Sequence, residues 1–109
     1  MPAAVIANLQ KLIGTPRDGA LLRFSLGLEF QKSGDAAKAT QYLRDAVAKD
    51  PGYSAAWRAL GKELEAGGQA ADALDAFRKG IAASQKKGDK QAEKEMKVFA
   101  RRLEKRIVG

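Results

Sequence analysis

The chain has 109 residues, with 20 Lys and Arg against 13 Asp and Glu, and no His or Cys. That length allows one domain with a modest core. The missing residue types exclude Ser-His-Asp and Cys-His nucleophiles, His general bases, disulfides, and zinc or iron–sulfur sites built on Cys and His. The net charge of +7 is uneven: residues 1–85 carry 11 basic and 9 acidic side chains, residues 86–109 carry 9 and 4.

Abundant alanine, few β-branched residues and only three prolines favour helix throughout. The first helical segment, 3–13, puts Val5, Leu9, Leu12 and Ile13 on one side. No basic stretch precedes it, Asn8 interrupts its apolar run and no small-residue cleavage site follows. It therefore reads as part of the fold and not as a leader, with the cytoplasm as the expected location. No apolar run approaches the ~18 residues of a membrane-spanning helix. Thr15-Pro16 ends the segment, because the residue before proline avoids the helical region.

A second helix is expected over 19–33 with Asp18 as its cap, and a third over 36–49 capped by Asp35. Asp50-Pro51-Gly52 stops the third, and Ser54 is placed to cap a fourth over 54–66. A fifth over 70–87 and a sixth over 90–107, capped by Asp89, complete an all-α chain. Gly34, Gly68 and Gly88 read as the glycines that end helices. Strict apolar–polar alternation never persists between turn signals, so no strand competes.

The chain repeats itself. Shifted by 34 residues, 20–53 falls on 54–87 with nine identities and no gap, among them Leu26-Gly27 on Leu60-Gly61, Gly34 on Gly68 and Ala39 on Ala73. Phe30 with Leu64, Leu43 with Phe77 and Val47 with Ile81 are conservative pairs. These residues, with Leu26 and Leu60, are the expected continuous core. Gly27 and Gly61 stand mid-helix, where glycine costs about 1 kcal/mol against alanine. A cost repeated at one offset points to close helix–helix approach, with Ala39 and Ala73 as the matching small residues. A helix–turn–helix unit of this size cannot bury its apolar face alone, so flanking helices must close both ends. At the C-terminal end Ala92, Met96, Phe99, Leu103 and Ile107 form an apolar stripe on an otherwise charged helix, as a cap requires.

These units resemble tetratricopeptide repeats. The second carries the family's pattern as Trp57, Leu60-Gly61, Leu64, Gly68, Ala73 and Phe77. The first carries it as Leu26-Gly27, Phe30, Gly34, Ala39, Leu43, Ala46 and Pro51. The first has Arg23 in place of the tryptophan. The second has Gly80 and Gln85 in place of the last alanine and the proline, so its second helix should run on to about Lys87. The resemblance implies a short right-handed α-solenoid in a single domain over 1–109: an N-terminal helix 3–13, repeats at 20–53 and 54–87, and a capping helix 89–107.

It also implies a non-catalytic protein–protein interaction module, an adaptor that binds a peptide or partner helix in a concave groove. By position, that groove would show Leu21, Phe24, Leu28 and Gln31 from the first unit, and Arg58, Lys62 and Glu65 with Ala55 from the second. The family's clamp for chaperone C-termini is absent, because Phe24 and Leu28 stand where its first Lys and Asn would be. No cofactor and no metal are implied.

Each of these features has two readings. Leu21, Phe24 and Leu28 are either an apolar floor for a partner or a strip covered by the N-terminal helix. The aggregation risk of a bare strip favours the cover. Arg58 and Lys62 either capture an acidic peptide or belong to a solvated surface with local Lys62–Glu65 pairing. Residues 86–106 hold nine Lys and Arg, enough to contact a polyanion or nucleic acid. Interspersed Glu93 and Glu104, placed to pair with Lys97 and Arg101, favour a solvated cap face. Trp57 reads as core between the units. Either a monomer or a homodimer, self-associating through an uncovered end, fits the pattern. No glycine-rich phosphate loop and no apolar pocket around a carboxylate supports an enzyme.

Overall fold

A computed structural model of the protein describes residues 2–109, which form six helices: α1 (Pro2–Gln10), α2 (Ala20–Ser33), α3 (Ala36–Lys49), α4 (Ser54–Ala66), α5 (Ala70–Lys87) and α6 (Lys90–Val108). The all-helical fold follows from the turn chemistry. Asp35 and Asp89 accept the backbone N–H of Lys38 and Ala92, both at 3.1 Å, and so satisfy donors that α3 and α6 would otherwise leave open. Gly34 and Gly88 end α2 and α5 at φ +83° and +72°, a left-handed backbone that only glycine adopts cheaply.

Three helix ends differ from expectation. The first helix stops at Gln10 and not at 13, because the chain tightens: the Leu12 N–H reaches back only to the Leu9 carbonyl (3.0 Å) and that of Ile13 only to Gln10 (3.2 Å). Asp18 does not cap α2. Gly19 holds the N-cap position without a side-chain bond, while Asp18 accepts the Gly14 N–H at 3.0 Å and grips Arg23 with both oxygens at 2.9 Å. Ser54 is the first residue inside α4, and Tyr53 takes its N-cap position with no side-chain bond.

Consecutive helices pack in antiparallel order, α2 on α3, α3 on α4, α4 on α5 and α5 on α6. Contacts also join α2 to α4 and α4 to α6, so these three helices form one layer, whereas the backbones of α3 and α5 in the other layer stay more than 8 Å apart, Cα to Cα. One core cluster runs from α3 to α6 through Leu43, Leu60, Leu64, Phe77, Met96 and Leu103, with Phe24, Leu28 and Trp57 partly buried against it. Ile81, expected in the core, is only half-buried beside it, since it lies toward the outer side of α5.

The mid-helix glycines explain how closely the helices approach. A Cβ on Gly27 would lie 2.7 Å from Leu43 Cδ2, and one on Gly61 2.5 Å from Phe77 Cε1. Close approach thus accommodates the large residues Leu43 and Phe77, and the Ala39 carbonyl lies 3.4 Å from the Gly27 Cβ position. Gly80 serves α6 in the same way, with Met96 Sδ 2.5 Å from where its Cβ would be. The fully buried Ser84 hydroxyl nearby donates to the Gly80 carbonyl at 2.8 Å, which satisfies a polar group in the core.

A second cluster lies at the other end. Leu22, Leu26, Phe30 and Ala39 are buried there, with Ile6, Leu9, Leu12, Ile13 and Tyr42 packed on them. Tyr42 stacks on Phe30 with ring centres 5.5 Å apart. The N-terminal helix therefore covers the Leu22–Leu26–Phe30 face. It does not cover Leu21, Phe24 and Leu28, which corrects the expected cover: Leu21 is 69% exposed, and Val5, expected on the buried side of α1, is 42% exposed. The physical reason is that Phe24 and Leu28 already pack against the α3–α6 core, which leaves the Leu22–Leu26–Phe30 face for the N-terminal segment to bury.

Candidate protein-binding face

The seven groove residues proposed from the sequence lie on α2 and α4, but the structure divides them into two environments. On α2, Leu21 is in solvent, whereas Phe24 and Leu28 turn partly into the α3–α6 core. Phe24 leans on Tyr53, ring centres 4.9 Å apart, where the α3–α4 turn passes. Gln31 donates from Nε2 to Glu63 at 3.3 Å and ties α2 to α4. The α2 part of this face is thus one exposed leucine beside two partly buried apolar side chains.

The α4 part faces α6. Arg58 pairs with Glu95. Glu65 accepts from Arg102 at 3.3 Å and from Arg106 at 3.1 Å. The local Lys62–Glu65 pair expected from helical spacing does not form, because the α6 arginines reach Glu65 across the helix–helix contact. Between these pairs sits Phe99, half-buried against Phe77 with ring centres 5.3 Å apart. Its ring is surrounded by cations: Lys62 Nζ lies 4.3 Å from the ring centre, and the guanidinium carbons of Arg102 and Arg58 lie 5.4 Å and 5.7 Å away. Such contacts contribute roughly 0.5–1 kcal/mol each at exposed sites. Among the described residues Lys62 has no carboxylate within salt-bridge distance, so its charge is held by the ring and remains open to a partner's acid.

Four residues of this face were missed in the sequence: Glu95, Phe99, Arg102 and Arg106. Phe99 has apolar spacing with Met96 and Leu103, so it reads as ordinary core. A signal was present, however. A shift of 36 residues lays Leu60 on Met96 and Leu64 on Ala100, all four buried. That register makes α6 equivalent to α2 and α4 and puts Phe99 at the position of Glu63, which faces the neighbouring helix of the same layer, α2. Lys97 then stands where the packing glycines Gly27 and Gly61 stand, which gives α6 a charged outer face.

Most charges on α6 are spoken for within the fold. Lys97 pairs with Glu93 at 2.7 Å, as its spacing suggests. Glu104 pairs with Arg78 of α5 at 2.7 Å and not with Arg101, since α5 lies alongside. Lys97 and then Gln85, both hydrogen-bonded to Glu93, hold its carboxyl below the ordinary value. In the first unit Arg23, which replaces the tryptophan, joins Asp18 and Asp45 at 2.9 Å. Its guanidinium, helped by the Gly14 N–H, holds Asp18 well below the usual carboxylate range. Among the described residues no group of carboxylates gathers as a metal site requires, and no helix is long and apolar enough to cross a membrane.

No family model matches the chain. A TPR repeat-containing protein of Pseudomonas aeruginosa is 46% identical to it over 101 residues, which cover 93% of this chain and 96% of that protein. The chain belongs to the tetratricopeptide repeat family. Solved structures agree. A Bordetella parapertussis protein, 39% identical, superposes with a TM-score of 0.77 over 94% of this chain and 89% of its own. A tetratricopeptide repeat domain protein of Salinibacter ruber, 25% identical, gives 0.74 over 80% and 97%. The Sgt2 TPR domain of Aspergillus fumigatus, 24% identical, gives 0.80 over 99% and 72%, a likeness of fold alone. Tetratricopeptide proteins are commonly protein–protein interaction modules and generally act as non-catalytic scaffolds.

Proposed function

We propose that this tetratricopeptide chain acts as a single adaptor domain in the cytoplasm, binding an acidic peptide or partner helix on the α2–α4–α6 layer without catalysis. The observation that carries the reading is the half-exposed Phe99 ring with Lys62, Arg58 and Arg102 around it. An aromatic surface ringed by cations suits a partner that brings an apolar side chain together with a carboxylate. Leu21 and Val98, 69% and 55% exposed on α2 and α6, add apolar contact area on the same layer. Gln31 and Glu65 act as tethers between helices in this reading, and Lys62 as the cation that meets the ligand. Nucleic acid and membrane are not part of the proposal.

The test is affinity capture from source lysate, read by mass spectrometry, comparing the wild type with the Arg58→Glu, Lys62→Glu double variant. The wild type should retain specific proteins that the variant loses while its helical spectrum is unchanged. Full capture by the variant would place the binding face elsewhere.

A further inference from the structure

The layer opposite the α2–α4–α6 face contains a large open cleft. Because the α3 and α5 backbones stand apart, a cleft with two lobes runs between them, and both lobes share Val47, Trp57 and Lys79. The smaller lobe, about 270 Å³, is edged by Arg44, Asp72 and Asp75 and is mixed in charge. The larger lobe, about 750 Å³, is walled by Pro51, Ala82 and Ala83 and edged by Lys79, Lys86 and Lys87. That volume is within the range of ligand-binding clefts.

Trp57 forms the floor common to both lobes. Expected as core between the units, it packs against the core but is only half-buried. Its Nε1–H donates to the Pro51 carbonyl at 2.7 Å, so the ring is fixed and its polar atom is already satisfied. Lys79 Nζ stands 5.6 Å from the ring centre, so what Trp57 presents to the cleft is an aromatic surface with a cation beside it. Charge along the cleft is directional. Lys79 is paired with Asp75 at 3.0 Å, while Lys86 and Lys87 have no carboxylate within salt-bridge distance among the described residues. Asp50, whose Oδ1 accepts the Gly52 N–H at 3.0 Å, lies at the Lys87 end of the cleft outside salt-bridge distance. From Asp72 to Lys87 the α5 wall runs about 22 Å, the length of about seven extended residues. A cleft this long and open along its length suits an extended chain better than a compact small molecule.

We infer that the α3–α5 cleft is a second docking site, for an acidic peptide segment that lays an apolar side chain on Trp57 and its carboxylates against Lys86 and Lys87. This site is independent of the α4–α6 face, and its occupant approaches from the other side of the solenoid.

Trp57 is the only tryptophan in the chain, so its emission reports on the cleft directly. The probe is an acetylated heptapeptide of two serines, one leucine and four glutamates, with a four-lysine counterpart as control. The glutamate peptide should shift Trp57 emission saturably, and the lysine peptide should not. Lys86→Glu with Lys87→Glu should weaken binding at least tenfold, and the milder Lys86→Gln with Lys87→Gln by an intermediate factor. Arg58→Glu with Lys62→Glu should leave it within twofold. The proposal is overturned if no saturable shift appears by about 1 mM peptide, if both peptides bind alike, or if reversal of Arg58 and Lys62 abolishes binding. It is equally overturned if emission follows protein concentration without peptide, which would put a second copy in the cleft, or if dodecanoate saturates the shift where the peptide does not.

Discussion

Lys62 Nζ lies 4.3 Å from the centre of the Phe99 ring, a contact between α4 and α6 that links the cap to the repeat before it. The same ring rests on Phe77 in the core, so packing and charge act on one side chain. Phe99→Leu keeps most of the apolar bulk and removes the aromatic face; it should cost about 1 kcal/mol. Phe99→Ala should cost about 2–3 kcal/mol, because packing is lost as well. Urea denaturation checks both. In the Phe99→Leu background Lys62→Ala should have no further effect, so a double-mutant cycle isolates the contact.

Gly61→Ala offers a test with an unusual sign. In an exposed helix interior this change gains about 1 kcal/mol. Here the new Cβ would sit 2.5 Å from Phe77 Cε1, in a core where Phe77 is fully buried. The variant should lose about 1–3 kcal/mol. Gly27→Ala should behave alike but more mildly, since it meets the branched end of Leu43 and not a rigid ring. Thermal melting of the two variants gives the comparison; a rise in Tm for Gly61→Ala would refute the close-packing account.

Asp18 gives the first hairpin a pH dependence. Arg23, followed by the Gly14 N–H, lowers its carboxyl well below its ordinary value of 3.8. A carboxyl depressed in the folded state contributes stability that is fully present above the unfolded value and is lost as pH falls through the folded one. The difference in stability between the wild type and Asp18→Asn should therefore be constant above about pH 5 and shrink steadily below 3.8. Denaturant midpoints from pH 7 to pH 2 measure it. A difference that grows in acid would contradict the pairing.

Removing residues 1–13 should expose the Leu22–Leu26–Phe30 face that Ile6, Leu9, Leu12 and Ile13 cover. The loss is on the order of 2 kcal/mol, or about 10 °C in Tm. Binding of an apolar dye should rise with it. Emission of Trp57, which lies in the other cluster, should change little at low temperature.

Much of this architecture was legible without coordinates. Gly34 and Gly88 marked helix ends, and Gly27 and Gly61 marked close approach, because each glycine carries a local cost that only a specific geometry repays. The candidate face was legible only in part. Lys62 and Arg58 were found by their place in the repeat, but Phe99 was hidden in an apolar stripe and Arg102 in a run of positive charge. Apolar spacing tells which face of a helix turns inward; it does not tell how far inward a residue at the edge of that face will sit.

The sequence alone determined that the chain is six helices in repeated pairs, since caps, turn glycines and a 3.6-residue period act within a few residues of themselves. Tertiary structure decided which stripe of α2 the first helix covers, that Glu65 turns to α6, and that α3 and α5 stand apart over Trp57. These outcomes depend on how one hairpin stacks on the next. That stacking is set by contacts between residues some thirty to forty positions apart, such as Gln31 with Glu63 and Arg58 with Glu95, and no local pattern encodes it.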